Sequence, residues 1–294
     1  MLFLEVRERL IHLHHCRGVG WKSILKLLTK DPQLKDLYSI SLEKWKQLLP
    51  ISGNQLISFY NDLHTIDIRK KLIQYTFSHI EITTFLDHEY PDLLKEIYNP
   101  PWVLFSKGNR DIMKEKCLLG VIGSRKPSPY GMAAVKEILP PLINRNVVIV
   151  SGLASGIDAE AHKLALRTYG KTIGVLGGGL YHLYPKETLP IASKMIDYGL
   201  LLSEVPPDRR PEPWMFPMRN RIISGLSRGV LIVEAEERSG SLITAQCALE
   251  QNREVFALPG NITSRLSSGT NRLIQEGAKS VLCADDILSE FSLF

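Results

Sequence analysis

From residue 117 onward, short apolar segments alternate with helical stretches, and this pattern constrains the fold more than any other feature of the chain. The segments are apolar at consecutive positions, so both of their faces are expected to be buried. Strands of that kind, separated by helices, are typical of an α/β domain with a doubly wound parallel sheet. The predicted strands are Cys117–Ile122, Val147–Val150, Thr172–Leu176, Leu200–Ser203, Val230–Val233, Glu254–Leu258 and Lys279–Leu282.

The first 80 residues have a different pattern, which predicts a small all-α domain over residues 1–80. Within it, the segment 13–28 reads as a helix, a turn with Gly18 and Gly20, and a second helix. This order is similar to the helix–hairpin–helix motif, whose turn offers backbone N–H groups to a DNA phosphate. The same arrangement also serves as a packing or protein-contact module. Residues 81–110, with turn signals at Asn99-Pro100-Pro101, are predicted to be a linker region before a domain at 111–294.

Composition excludes several classes of protein. The chain has 36 Lys and Arg against 31 Asp and Glu, a net charge of +5, so an anionic partner needs a local basic patch. No apolar run approaches the ~20 residues of a membrane span, and the early charges Glu5 and Arg7 lead us to expect no signal peptide. The four cysteines lack zinc-ligand spacing and are expected to be buried thiols in a cytoplasmic protein; they are Cys16, Cys117, Cys247 and Cys283. No metal site is expected, including at the neighbouring His12, His14 and His15.

The loops that follow the predicted strands contain glycines, hydroxyls and cations. In a doubly wound sheet these loops meet at the carboxyl edge, where ligands bind. Glycine-rich turns at helix N-termini suit phosphate oxygens. The candidate binding residues are Gly123, Ser124 and Arg125 after the first strand, Ser151, Gly152, Ser155 and Gly156 after the second, Lys186 after the third, and Arg219 and Arg221 after the fourth.

Two of these cations lie in a segment, residues 216–226, that is predicted to begin a helix. Arg219 and Arg221 are expected in its first turn, where the helix dipole favours acids over bases. An anionic ligand explains two arginines there. Pairing with a nearby carboxylate, such as Glu204, Asp208 or Glu212, explains them equally well from this segment alone.

The same loops argue against several enzyme classes. Neither the dinucleotide fingerprint after the first strand nor a P-loop occurs, so no cofactor is expected. Ser151 and Ser155 precede Asp158 and His162, but neither serine lies in a G-x-S-x-G elbow, and Asp158 is interpreted as a helix-start acid. The acidic run at 234–237 is interpreted as a strand end before a helix.

As a set, these loops resemble the DprA/Smf family. The resemblance rests on Gly123-Ser124-Arg125, Ser151 to His162, Gly177-Gly178-Gly179 with Tyr184-Pro185, Ser203-Glu204, Phe216 to Ser227, Glu234 to Ser241, and Pro259-Gly260, and it covers about residues 100–290. It implies an extended Rossmann-like domain that binds single-stranded DNA without sequence specificity, preceded by a SAM-like or helix–hairpin–helix domain.

The resemblance also implies a function and partners. Family members are non-enzymatic recombination mediators of natural transformation, which load the RecA recombinase onto incoming strands and help it displace single-strand-binding protein. They usually form homodimers. By position, Arg125 and Lys186 match the family's DNA-pocket residues, and Arg219, Asn220 and Arg221 match a motif on the same face. The C-terminal winged helix of many members is expected to be absent, because the chain ends at Phe294 soon after the last strand.

Two questions stay open at this stage. An aromatic at the rim of the pocket, with Tyr130, Tyr184 and Phe216 as candidates, would stack on a base for about 1–3 kcal/mol, although each is also a candidate for the core. The alternative function is a nucleotide-processing enzyme of the lysine-decarboxylase-like phosphoribohydrolase type. Its Pro-Gly-Gly-x-Gly-Thr-x-x-Glu loop corresponds here to residues 236–244, which lack the double glycine and the glutamate.

Overall fold

The structure is a computed structural model that describes residues 5–292. The chain divides into two compact units. The first contains the chain up to Tyr90 together with Pro101–Phe105, and the second contains Pro91–Pro100 and the chain from Ser106 onward. The region 81–110, predicted as a linker, is thus shared between the two units and carries strands and a short helix.

The first unit is mostly helical, as its apolar spacing predicts. Its elements are α1 (Val6–His15), α2 (Trp21–Lys30), α3 (Leu42–Leu48), α4 (Gly53–Thr65), α5 (Ile68–Phe77) and strand β1 (Glu81–Thr84). Trp45 and Phe59 are fully buried and meet edge to face, with ring centroids 5.0 Å apart. Helix α4 begins with a capping box in which Ser52 and Gln55 satisfy each other's backbone N–H groups.

The turn between α1 and α2 requires its glycine. Gly18 has a φ of +78°, and a Cβ there would lie 2.6 Å from the carbonyl oxygen of Gln55. The neighbouring Arg17 donates its backbone N–H and its guanidinium to Asp62, at 2.7–2.8 Å, and this ion pair lowers the pKa of Asp62. The N–H of Arg17 is therefore already occupied by a carboxylate. DNA contact by this turn remains a prediction.

The second unit alternates strands and helices, as predicted. Its elements are α6 (Asp92–Lys95), the end of β2 (Val103–Gly108), β3 (Leu118–Ile122), α7 (Pro129–Asn144), β4 (Val148–Ser151), α8 (Ile157–Arg167), β5 (Thr172–Val175), α9 (Leu189–Tyr198), β6 (Leu200–Ser203), α10 (Met215–Leu226), β7 (Gly229–Ile232), α11 (Gly240–Glu250), β8 (Glu254–Ala257), α12 (Ser268–Gln275), β9 (Lys279–Ser280) and α13 (Asp285–Glu290).

Within this unit the strands run in the order β6-β5-β4-β3-β7-β8-β9, and their neighbours pair in parallel. The α/β fold class is confirmed. Strand β3 is central, because Gly120 pairs with Val150 of β4 on one side and with Val230 of β7 on the other. The chain order reverses between β3 and β7, and such switch points open a crevice at the carboxyl ends of the strands.

Residues 91–100 belong to the second unit because of their contacts. Leu94 and Ile97 pack against Gly225 of α10 so closely that a Cβ on that glycine would lie 2.8 Å from Leu94. Arg253 donates to the carbonyl of Leu93 at 2.7 Å. These apolar and polar contacts tie the segment to α10 and to the start of β8.

The cysteines are not all buried, so that expectation is wrong in part. Cys16 and Cys117 are buried, Cys247 is half-buried and Cys283 is exposed. Cys283 lies just before α13, where its backbone N–H donates to Asp286 at 3.0 Å and its side chain is exposed. Among the described residues no cluster of side chains has the composition of a metal site, and no helix has the length and apolar character needed to cross a bilayer.

Candidate functional site

A cavity of about 600 Å³ opens at the carboxyl edge of the sheet, at the switch point between β3 and β7. It is formed by the loop after β3, the start of α8, Tyr184 after β5, the first two turns of α10, the loop after β7 and the start of α11. Of the predicted binding residues, the cavity is lined by Gly123, Ser124, Arg125, Arg219 and Asn220; Ser151, Gly152, Ser155, Gly156, Lys186 and Arg221 lie outside its lining.

The loop after β3 is held against the start of α8. Gly156 has a φ of +81°, and a Cβ there would lie 2.3 Å from the carbonyl oxygen of Ser124. The N–H of Ile157 donates to that same oxygen at 3.2 Å. A Cβ on Gly123 would lie 2.6 Å from the Ile157 side chain. The glycines therefore allow the close approach that places Arg125 at the cavity wall.

Arg125 is the exposed cation of this wall. Its guanidinium makes no ion pair or hydrogen bond with any residue from 5 to 292. An unpaired guanidinium at the mouth of a cavity is free to hold a phosphate in a bidentate contact. The predicted anion-binding chemistry is therefore available at this position.

Arg219 has a different environment, because it is only 8% exposed at the floor of the cavity. Its Nη1 donates to the carbonyl of Val175, and its guanidinium lies against Gly152, where a Cβ would approach within 2.3 Å. Its Nε has no partner among the described residues. Burial lowers the pKa of Arg219 to about 10, while the Asp158 carboxylate opposes this shift and Arg125 adds to it.

Two further titratable residues of α8 are buried at this end of the sheet: Asp158, which is part of the lining, and His162, which is not. Asp158 accepts from the N–H of Gly152 at 3.1 Å, in the first turn of α8, as expected of a helix-start acid. Burial raises the pKa of Asp158, against the opposing effect of Arg219. His162 bonds to the hydroxyl of Thr172 at 2.7 Å, and burial lowers its pKa to about 3. The Ser151 hydroxyl donates to the carbonyl of Val121 in β3 at 2.6 Å, so it already has a hydrogen-bond partner within the sheet.

The start of α10 corrects the sequence interpretation of its two arginines. The helix begins at Met215, with Trp214 as its N-cap, so Arg219 and Arg221 lie beyond the first turn. Arg221 donates to both oxygens of Glu204 at 2.7 Å, in a half-buried ion pair. Local pairing thus explains Arg221. The position of Arg219 is explained by its hydrogen bond to the carbonyl of Val175 in β5.

The remaining predicted positions have separate surroundings. Asn220 donates weakly to the carbonyl of Gly240 at 3.4 Å, which links α10 to the start of α11. Lys186 is exposed in a 3₁₀ turn that follows Tyr184 and Pro185. Tyr184 and Phe216 both line the cavity, and their rings meet at a tilt with centroids 5.9 Å apart. Tyr130 lies outside the lining and donates to the carbonyl of Pro259.

Sequence reasoning did not select the residues at the start of α11. Ser239, Gly240, Ser241 and Thr244 line the cavity, and the first turn of α11 contains no acid. The hydroxyls of Ser239 and Thr244 are buried without a partner among the described residues. The Ser-Gly-Ser sequence after an apolar strand was the available signal.

The formal charges of the lining balance. Arg125, Arg219 and Arg238 oppose three carboxylates, those of Asp158, Glu234 and Glu236. Two of these acids have partners outside the cavity. Glu234 accepts from the backbone N–H of Ser128 at 2.9 Å and from its hydroxyl, and Glu236 pairs with Arg265 at 3.4 Å. The exposed cations of the lining are Arg125 and Arg238.

Comparison with known proteins gives close matches. The family model for DNA recombination-mediator protein A matches residues 81–292. The chain is 45% identical to the DNA processing protein DprA of Bacillus subtilis over 237 residues, which cover 81% of this chain and 78% of that one. It is 49% identical to the DNA processing protein DprA of Streptococcus pneumoniae over 208 residues, which cover 71% of this chain and 73% of that one.

Two solved structures are similar over long stretches. The crystal structure of DNA processing protein A from Streptococcus pneumoniae superposes with a TM-score of 0.84 at 38% identity, covering 99% of both chains. A solved structure of DNA processing protein A from Helicobacter pylori, described as giving insight into its mode of binding single-stranded DNA, superposes with a TM-score of 0.66 at 29% identity. It covers 73% of this chain and 97% of that one.

Proposed function

The chain belongs to the DNA recombination-mediator protein A family, and on that premise we propose that it binds single-stranded DNA without sequence specificity and loads RecA onto it as a recombination mediator in natural transformation. The DNA-binding part of the proposal is supported by one observation above the others. Arg125 stands unpaired at the mouth of a cavity that also presents two aromatic rings. This combination suits the phosphate and the exposed base of a single strand.

The chemistry of the proposed site follows from its parts. The Arg125 guanidinium neutralises a phosphate, and Lys186 provides a second cation at the same edge of the sheet. A base stacks against Tyr184, whose ring is more than half exposed and is backed by Phe216. None of these contacts reads a base edge, so binding is tolerant of sequence. Arg219 and Asn220 form part of the wall, Arg221 holds α10 through its ion pair with Glu204, and the glycines and serines after β4 fix the wall to the sheet.

The proposed partners rest on family membership. They are single-stranded DNA, RecA, a second copy of this chain in a homodimer, and single-strand-binding protein as the component to be displaced. In this role the protein forms no covalent intermediate and uses no cofactor. The protein raises the local concentration of RecA at the single strand.

The first test is a gel-shift experiment with single- and double-stranded oligonucleotides of the same sequence across a range of salt concentrations. The proposal predicts tighter binding of the single strand. It also predicts a logarithmic salt slope of about −0.7 for each phosphate that the protein neutralises. Equal binding of both forms, or binding that salt does not weaken, would contradict it.

The second test concerns loading. RecA filament assembly on a strand coated with single-strand-binding protein is expected to start earlier when the protein is added. The nucleotide-processing alternative is tested in parallel by incubating the protein with nucleoside monophosphates. Release of free base would support the enzyme and argue against a purely binding function.

A further inference from the structure

A second cavity, of about 690 Å³, lies between α8 and α9 and shares no lining residue with the first. Its floor is apolar, and its rim carries lysines, an arginine and tyrosines. The residues that matter for the argument are Lys163, Leu166, Arg167, Tyr169, Lys194 and Tyr198. We refer to it as the α8–α9 groove. Neither the proposed function nor the family resemblance assigns a role to it.

The groove carries only one sign of charge. Lys163, Arg167 and Lys194 are the titratable residues of its lining apart from tyrosines, and all three are exposed. None of them makes an ion pair with another residue between 5 and 292. The nearest acids along the two helices are Glu160, which is buried, and Asp197, which is exposed. Three cations around one groove repel each other weakly, and an anionic occupant removes that repulsion.

The tyrosines of the groove have no packing role in this chain. Tyr169 is 97% exposed and has a φ of +55°, a region that bulky side chains disfavour. Tyr198 is 70% exposed at the end of α9. Neither ring is buried enough to contribute much to stability, so the position of Tyr169 is not explained by the core. An exposed ring beside cations is a stacking platform for a nucleic-acid base.

The groove also leads away from the candidate site. Helix α8 starts after the carboxyl end of β4, and α9 starts after that of β5, so both helices run toward the opposite edge of the sheet. Lys186 lies about one turn before Pro190, which lines the groove. Tyr169 and Tyr198 lie at the far ends of the two helices, just before β5 and β6. The ten residues of α9 span about 15 Å.

From these observations we propose that the α8–α9 groove is a second single-strand-binding surface, which holds the stretch of DNA that leaves the cavity past Lys186. Its three cations contact phosphates, and its two tyrosines stack on bases. The inference rests on the proposed function, because the strand enters from the candidate site. An acidic peptide would also suit cations over an apolar floor. The two exposed tyrosine rings and the continuity with Lys186 favour the nucleic acid.

The test compares two lengths of oligo(dT), about 4 and about 20 nucleotides, which bracket typical single-strand footprints. The double variant Lys163→Ala/Arg167→Ala is measured by fluorescence anisotropy against Lys116→Ala/Lys136→Ala. The control pair also removes two exposed, unpaired cations of the second unit, but away from both cavities. The groove variant is expected to bind the long strand about 10-fold more weakly, with a salt slope smaller by about 1.4. The short strand and the control variant are expected to be unaffected.

A second pair of variants tests the stacking role. Tyr198→Ala is expected to weaken binding of the long strand about 5-fold or more, while Tyr198→Phe, which keeps the ring, retains the affinity. All substituted side chains are exposed. Circular dichroism is used to check that each variant is folded. Loss of affinity in Tyr198→Phe as well would contradict stacking.

The outcomes separate this inference from the function on which it rests. If the wild type binds neither length, the proposed function fails. If it binds both lengths and the groove variants bind the long strand like the wild type, only the groove assignment fails. If a poly-glutamate peptide binds the wild type but not the groove variant, while both bind the long strand equally, the groove is a peptide site and the inference is overturned.

Discussion

At the residue scale, the arginines around the candidate site differ in what surrounds their guanidinium groups. Arg125 is exposed and unpaired among the described residues, Arg219 is buried against the sheet, and Arg221 is held by Glu204. An exposed unpaired cation is available to a ligand, whereas a buried or paired one stabilises the wall. All three arginines were candidate binding residues in the sequence, because each follows a predicted strand. The sequence contained no information on the burial of Arg219, which depends on how α10 packs against β5.

This difference leads to a prediction about stability. Arg219→Met removes the hydrogen bond to Val175 and leaves the Asp158 carboxylate buried without its neighbouring cation. The free energy of unfolding is expected to fall by about 2 kcal/mol or more. The matched change Arg125→Met, at an exposed position, is expected to stay within about 0.5 kcal/mol. Urea unfolding measures both, and equal effects of the two substitutions would contradict the assignment.

A second prediction at this scale concerns pH. Burial lowers the pKa of His162 from 6.5 to about 3 in the folded chain, so the unfolded chain binds the extra proton between those values. The contribution of neutral His162 to stability is complete above pH 6.5 and is lost as the pH falls toward 3.

Over this window the stability is expected to change by up to about 1.4 kcal/mol per pH unit because of this one group. His162→Gln removes the titration, so its stability should fall less steeply on acidification than that of the wild type. The measurement is urea unfolding of both proteins at several pH values. Parallel curves for the two proteins would show that His162 does not titrate in this way.

At the scale of the elements, the strands and the start of α8 were predictable, whereas the start of α10 was not. The seven predicted strands agree with the observed ones to within a few residues, because strands buried on both faces read as continuous apolar runs. Helix α10 starts at Met215, earlier than predicted, because Trp214 caps it without a recognisable side-chain signal. The start of α11 was not selected for the site, because its role depends on how the helix packs against α10.

The turn before α8 provides a prediction at the same scale. Gly156→Ala places a Cβ 2.3 Å from the carbonyl of Ser124 at a φ of +81°, so the loop that carries Arg125 must move. Stability is expected to fall by about 1–3 kcal/mol. Gly240→Ala is the control, because a Cβ there meets nothing within 4 Å, and it is expected to change stability by less than about 1 kcal/mol. Thermal unfolding compares them, and a neutral Gly156→Ala would contradict the need for glycine.

At the scale of the whole molecule, the sequence indicated a helical part and an α/β part, and the structure shows two compact units of those kinds. Their boundaries differ from the predicted ones. Residues 91–100 read as a linker because of their turn signals, yet they pack on α10 and bond to Arg253. Contacts between residues far apart in the chain decide to which unit such a segment belongs. Local sequence patterns carry no information on those contacts.

The central claim at this scale is that the cavity at the carboxyl edge of the sheet binds single-stranded DNA through Arg125. The most direct measurement is the equilibrium affinity for a fluorescently labelled oligo(dT) at moderate salt, for the wild type, Arg125→Ala and the control Lys116→Ala. Lys116 is an exposed, unpaired cation before β3, at the opposite edge of the sheet. The account predicts that Arg125→Ala binds at least about 10-fold more weakly while Lys116→Ala binds like the wild type, because only Arg125→Ala removes a side chain that contacts a phosphate of the DNA. Equal affinity of all three proteins would contradict it.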